Sequence, residues 1–450
     1  MSTNQQNLLE IEPLRNLNFW HIWALGVGAV VGDGIFLLLG QAVEVAGPSA
    51  ILSIFIAGVL ELFLQLTLSE MAVGMPSAGA LDKWSERFLG EWWGYLAGMS
   101  WAIAWTLISI SVCIAMGRFL AYFIPINELV LAAICVTIFW LLNVRGALVA
   151  ATTQLWMVIG LVAIMVGLAI FGAPHAVKGF PQNFLPFTPN GLQAMFLAVP
   201  MASYAFMGTA CLCTSGSECK NIRDLPKALV WAAITFIVVY TLSLVVMIGS
   251  IDWRTMSLAE SLYVTFAQRI FGTGGAAIVT VAACLATATC TLMGTFYGSS
   301  RIFYEEARNG KWPKIFGELH PKYRTPTKGL FIIWLVNIVG IGLATFNVDS
   351  VYVFITMLFL CACYITYGLS IISAILYRKR CPDEVKKLPF RIPVPWLTFP
   401  IAIVGLGICV YFAALDNPGL IYGLIGLVAP LYLYYSIAVK NRKSDASVPS

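Results

Sequence analysis

The sequence predicts an all-α polytopic membrane protein of twelve transmembrane helices, with the first and sixth broken near mid-membrane. Three observations carry this prediction. The 450-residue chain is 59% hydrophobic and 11% charged, less than half the charged share of about 25% in a typical soluble domain. Its apolar residues fall into stretches close to the roughly 20 residues that a spanning helix needs. Two of those stretches carry glycines and polar residues at a depth where lipid-exposed backbone cannot be irregular.

In chain order the expected spans are 19–40, 49–73, 92–117, 127–144, 151–172, 191–215, 226–250, 274–299, 328–346, 351–377, 394–415 and 419–439. With the N-terminus in the cytoplasm, 23 of the 27 lysines and arginines fall in cytoplasmic segments, and only Arg118, Lys178, Arg254 and Arg269 fall outside. That bias fits the positive-inside rule. It also supports an even number of spans, because one missed span would invert every later loop. The expected location is the cytoplasmic membrane, with both termini inside. The first 18 residues are polar, with Glu10, Glu12 and Arg15 and no apolar core, so no secretory signal peptide is expected and the first span does the targeting. Residues 251–273 read as an amphipathic helix near the outer surface, and 301–327 is the most polar internal stretch.

The 11 cysteines lie scattered in apolar stretches without a CxxC pair and read as small buried hydrophobes. His21, His175 and His320 are far apart, so no zinc site is expected. No resident cofactor, metal or nucleic-acid partner is implied. The expected partners are a small-molecule substrate and the lipid bilayer, and the oligomeric state is left open.

The first span contains GVGAVVGDGIF, from Gly26 to Phe36. A glycine in a helix costs about 1 kcal/mol relative to alanine, and an acid at mid-membrane about 2.5–3.5 kcal/mol. Such costs persist where something offsets them. An unwound helix exposes free N–H groups and a positive half-helix end, which suit an anionic group. Gly28-x-x-x-Gly32 also reads as a small-residue packing face, although that does not explain Asp33. A dinucleotide loop is excluded by spacing and by the lack of a preceding strand. The sixth span is interrupted in AVPMASYAFMGTACLCTSGSE, from Ala198 to Glu218. Interruptions at corresponding places in two five-helix halves point to a transporter built from inverted repeats, with its ligand between spans 1 and 6.

These residues resemble the amino acid–polyamine–organocation transporter superfamily. GVGAVVGDGIF is similar to its first-helix motif. AGPSAILSIFIAGVLELFLQLTLSEMAVGMPSAGA resembles the second helix and its loop, with Glu70, Pro76, Ser77 and Gly79; Asn143 and Gly146 match the turn between helices four and five. AFMGTACLCTSGSECKNIRDLPKAL resembles the sixth-helix region, and SSRIFYEEARNGKWPKIFGELHPKYRTPT the stretch after helix eight. The resemblance implies the LeuT-like fold, organised as a cytoplasmic tail (1–18), a transport core (19–377) of two inverted five-helix repeats (about 19–172 and 191–377), a cytoplasmic loop (378–393), peripheral helices 11 and 12 (394–439) and a tail (440–450). It implies alternating access by a symporter or exchanger for amino acids or related small amines. The implied substrate contacts are Val31, Gly32, Asp33 and Gly34 in span 1, and Phe206, Met207, Gly208 and Thr209 in span 6, with Tyr204 or Phe206 as an aromatic lid.

Asp33 departs from that pattern, since relatives usually carry a small or hydroxylated residue there. Three roles stay open: a proton-coupling group, a partner for the ammonium of an amine lacking a carboxylate, or a member of a structural network. Glu61 is the second proton-coupling candidate. Glu70 and Glu218 are candidates for a cytoplasmic gate, and Glu44 reads as solvated. Residues 147–171 contain no lysine or arginine, so the fixed cation that some proton-coupled relatives carry in helix five is absent. Sodium coupling is expected less than proton coupling; its weak candidates are Thr287, Thr289 and Thr291. Trp101 and Trp105 read as packing residues. A channel, a transporter-derived sensor and a membrane enzyme are the rival classes. No filter sequence, added domain or nucleophile–base pair favours them.

Overall fold

The computed structural model of the protein describes residues 14–77, 79–255, 261–346, 348–416 and 419–440; within these, the side chains of residues 33, 37, 38, 147, 291–294, 348–354, 356, 357, 416 and 440 are left undescribed. The described residues are helical, without a named β-strand. The helices form twelve crossings at the expected places: Phe19–Val30 with Asp33–Ala46, then Ala50–Gly74, Glu91–Ala121, Glu128–Val144, Ala147–Gly179, Gly191–Tyr204 with Thr209–Ser217, Asp224–Ser250, Leu262–Cys290, Thr327–Leu343, Val348–Arg380, Pro395–Asp416 and Leu420–Tyr434.

The eighth crossing differs from expectation. Its helix begins earlier and breaks at Gly272 (φ 69°), so 262–271 forms the surface helix expected in 251–273, while 256–260 lies outside the described residues. It then widens into a π-helix, Thr291–Ser299, and continues as Ser300–Arg308. A π-turn mid-span loosens the backbone ladder, and such features recur at functional sites.

Span 2 packs on span 7, span 3 on span 8 and span 4 on span 9, the self-pairings that a two-fold relation between the five-helix halves produces. Burial ranks the crossings: 89% of the span 3 window is buried, against 22% for spans 5 and 12 and 28% for span 11. Span 3 therefore forms the centre, and spans 5, 11 and 12 carry lipid-facing side chains such as Trp156, Phe171 and Tyr422. A bundle that turns large apolar side chains outward is stable only in a bilayer. The protein is an integral, multi-pass membrane protein.

The chain ahead of span 1 lies beside the end of span 6: the Leu17 N–H donates to the Glu218 carbonyl (3.1 Å), and the Lys220 N–H to the Leu17 carbonyl (2.9 Å).

Candidate functional site

Both interruptions are real breaks in the helical backbone. Span 1 leaves helical geometry at Val31 (ψ 92°) and Gly32 (φ −122°, ψ −148°) and restarts at Asp33. The last carbonyls of Phe19–Val30 and the first N–H groups of Asp33–Ala46 lose their intrahelical partners there, and Gly32 has no side chain with which to cap them. Span 6 ends its first helix at Tyr204, turns through Ala205–Gly208 and resumes as a tight 3-10 helix, Thr209–Ser217. Gly208 adopts φ 138°, a region that other L-residues rarely enter.

The two breaks touch. A Cβ on Gly208 would lie 2.4 Å from the Ala29 carbonyl oxygen, and one on Gly34 would lie 2.8 Å from the Tyr204 ring. Glycine at both positions lets the interrupted helices meet. Between them is a cavity of about 20 Å³, walled by Gly32, Gly34, Tyr204, Met207, Trp105 and Phe359, with Ile108, Val112 and Cys290 behind. Phe359 meets Trp105 edge-on (centroids 5.0 Å apart) and Tyr204 similarly (5.7 Å). The described wall carries no charged side chain. Its volume holds about one water, so an amino acid fits only after the walls draw apart.

The structure sorts the expected contacts. Gly32, Gly34, Tyr204 and Met207 line this cavity. The Asp33 side chain lies outside the described residues. Val31 is buried next to Gly32, and Gly208 packs on Ala29 and Trp105 without lining the cavity. Phe206 turns away to pack on Phe236 and Tyr240 of span 7, so the aromatic side chain over the cavity is Tyr204. Thr209 points to span 2, where its hydroxyl donates to Glu61 Oε1 at 2.6 Å; Gln65 Nε2 donates to the same oxygen at 2.5 Å. Trp105, read from sequence as packing, lines the wall.

Span 5 contributes a residue that the sequence reading missed. Gln154 sits against the bare face of Gly28, where a Cβ would collide with its amide, and donates to the Ala24 carbonyl at 3.4 Å. It is the one side-chain amide in Ala147–Gly179, a signal the sequence did contain. Gly28 thus serves packing, and Gly32 serves the break. The Thr287 and Thr289 hydroxyls donate to carbonyls of their own helix, at 2.9 Å each for Ala283 and Ala286, as helical threonines commonly do. The Thr291 side chain lies outside the described residues.

At the opposite ends of these spans two buried acids hold arginines. Glu218 accepts from Tyr297 Oη (2.7 Å) and Arg301 Nε (2.8 Å), with the guanidinium 3.3 Å from the Tyr297 ring centre. Glu70 pairs with Arg378 of span 10 and accepts from the Ile392 N–H at 2.7 Å. These contacts join the ends of spans 2, 6, 8 and 10 and the chain before span 1. Glu44 is exposed.

Twelve crossings, two of them broken and meeting at mid-depth around a cavity whose described lining carries no charged side chain, define a membrane transporter rather than an enzyme. The profile of the amino acid permease family matches residues 17–432, and the chain belongs to that family, within the amino acid–polyamine–organocation superfamily. It is similar to the amino-acid permease RocE of Bacillus subtilis (strain 168), 23% identical over 98% of both chains. It is also similar to the gamma-aminobutyric acid permease of the same organism, 23% identical over 95% of this chain and 94% of that one. The D-serine/D-alanine/glycine transporter of Escherichia coli O6:H1 is 23% identical over 84% of each chain.

Proposed function

We propose that this protein is a secondary active transporter, a symporter or exchanger, that carries amino acids with uncharged, largely apolar side chains by alternating access. The observation that carries the reading is the contact of the two helix breaks through Gly208 and Ala29. It brings the unpaired N–H groups of Asp33–Ala46 and the unpaired carbonyls of Phe19–Val30 to one cavity. The first group suits a carboxylate and the second an ammonium. The side chain then faces Trp105, Ile108, Val112 and Phe359, and burying a charge there without a partner would be costly. Tyr204 is the lid.

The cytoplasmic membrane, with both termini inside, is the location that the distribution of basic residues favours. The pairing of Leu17 with the end of span 6 supports it, since six crossings return the chain to its starting side. Glu70 and Glu218 then close the cytoplasmic end through Arg378 and Arg301, and opening breaks these pairs.

The test is counterflow in proteoliposomes loaded with unlabelled leucine. Labelled leucine, alanine and phenylalanine should enter; lysine, glutamate and the decarboxylated amine of leucine should not. Entry of the amine at the rate of leucine, with no need for a carboxylate, would reverse the assignment of the N–H groups.

A further inference from the structure

A second cavity, of about 40 Å³, lies outside the substrate cavity, between spans 2, 6, 10 and 11. Its lining is apolar except for Glu61, Ser203, Tyr364, Tyr367 and Cys409. The arrangement around Glu61 is lopsided. Both hydrogen bonds to its carboxyl, from Thr209 and Gln65, land on Oε1; among the described residues Oε2 accepts none. The lining contains no lysine, arginine or histidine. Tyr364 Oη is buried, has no hydrogen-bond partner among the described residues and lines the same cavity. A water needs about 10–15 Å³ and two to four polar partners. The space therefore accommodates two or three waters, with Glu61, Tyr364, Ser203 and Tyr367 to hold them.

We infer that Glu61 is the proton carrier of the transport cycle, exchanging its proton through water in this side cavity and passing its state to the substrate site through Thr209. The inference rests on the transport reading above. In the neutral acid, Oε1 is the carbonyl oxygen that accepts from Thr209 and Gln65, and Oε2–H is free to donate into the cavity. In the carboxylate, a charge with no cation in the cavity lining stands at mid-membrane, which is costly. The carboxylate also draws more strongly on the Thr209 hydroxyl, because hydrogen bonds to a charged acceptor are roughly twice as strong as neutral ones. Thr209 directly follows Gly208, whose N–H donates to Tyr367 Oη at 3.5 Å and whose α-carbon rests on the Ala29 carbonyl. Loss of the proton therefore pulls on the point where the two broken helices meet. The other titratable groups facing Glu61 are Cys363, Tyr364 and Tyr367 of span 10 and Cys409 of span 11. All are thiols or phenols, whose ordinary pKa values lie above physiological pH, so among the described groups facing the cavity the Glu61 carboxyl alone changes charge.

The experiment uses full-length protein in phosphatidylethanolamine–phosphatidylglycerol vesicles containing a fluorescent pH indicator, with labelled leucine outside and an inside-negative potassium diffusion potential. Wild type should acidify the lumen as leucine enters. Glu61→Gln should lose both the acidification and at least tenfold of the accumulation, while internal leucine still drives labelled leucine inward by exchange. Gln65→Leu removes one donor to Oε1 and should move the uptake–pH profile to higher pH. Acidification by Glu61→Gln at the wild-type proton-to-leucine ratio overturns the inference. If Glu61→Gln fails to fold, an unchanged pH profile for Gln65→Leu overturns it instead. Wild-type leucine flux without proton movement overturns it and leaves the transport reading standing. No flux of any amino acid in any mode overturns both.

Discussion

The α-carbon of Gly208 rests on the carbonyl of Ala29, so closely that a methyl group there would stand 2.4 Å from the oxygen. Neither a side chain nor an ordinary backbone conformation fits, since Gly208 also sits at φ 138°. Backbone strain of this kind costs about 1–3 kcal/mol per residue, and relief would push the two breaks apart. Gly208→Ala should lower the thermal midpoint and reduce initial leucine uptake at least tenfold. Gly34→Ala offers the contrast. Its methyl would meet the Tyr204 ring at 2.8 Å, and a ring can turn where a carbonyl cannot. That variant should stay folded and show a higher apparent KM.

Phe359 connects the walls of the cavity between the two helix breaks by touching both Trp105 and Tyr204. Phe359→Ala removes a ring from the face that a substrate side chain would meet. In hydrophobic pockets one methylene is worth about 1–3 kcal/mol of discrimination, a factor of roughly 10–200. The ratio of kcat/KM for phenylalanine to that for alanine should rise about tenfold or more in this variant. Competition between the two amino acids in proteoliposomes measures it, and an unchanged ratio would remove Phe359 from the specificity wall.

The twelve crossings and both breaks were legible because they rest on long-range averages and on backbone chemistry. A run of 20 apolar residues has few alternatives, and glycine beside an acid at mid-span demands a reason. Side-chain direction after a break was not legible. Once the chain leaves the α-helix at Tyr204, the 3.6-residue period no longer applies, and Phe206 and Thr209 swing toward spans 7 and 2 while Met207 keeps the cavity. Gln154 stands out as the one side-chain amide of its span, but nothing in the residue pattern ties it, or Phe359 of span 10, to the breaks. Only packing brings them there.

Glu218 and Arg301 form a nearly dry pair, with side chains 4% and 6% exposed. Arg301→Gln leaves the carboxylate buried beside Tyr297 alone. Stranding one member of such a pair costs about 3–5 kcal/mol, whereas neutralising both is often nearly neutral. Arg301→Gln should therefore be destabilised strongly, and Glu218→Gln/Arg301→Gln should recover most of the loss. Thermal midpoints of the four proteins in a double-mutant cycle decide this. Strictly additive losses would show that the pair contributes no coupling.

Stability should also depend on pH through Asp82, in the short helix Leu81–Leu89 that joins spans 2 and 3. Its carboxyl is completely buried. Burial, reinforced by the negative charge of Glu305, raises its pKa to about 6, with Lys83 and Lys311 opposing. An exposed aspartate in the unfolded chain releases its proton near 3.8. Between these values the folded state binds more protons than the unfolded one, so folding stability falls as pH rises through that window and stays lower above it. Asp82→Asn cannot ionise and escapes this loss. Its thermal midpoint should exceed that of wild type at pH 8, and the difference should shrink as pH falls toward 4. A wild type that is the more stable protein at pH 8 would mean that Lys83 and Lys311 outweigh burial, and that the carboxylate supports this helix rather than weakening it.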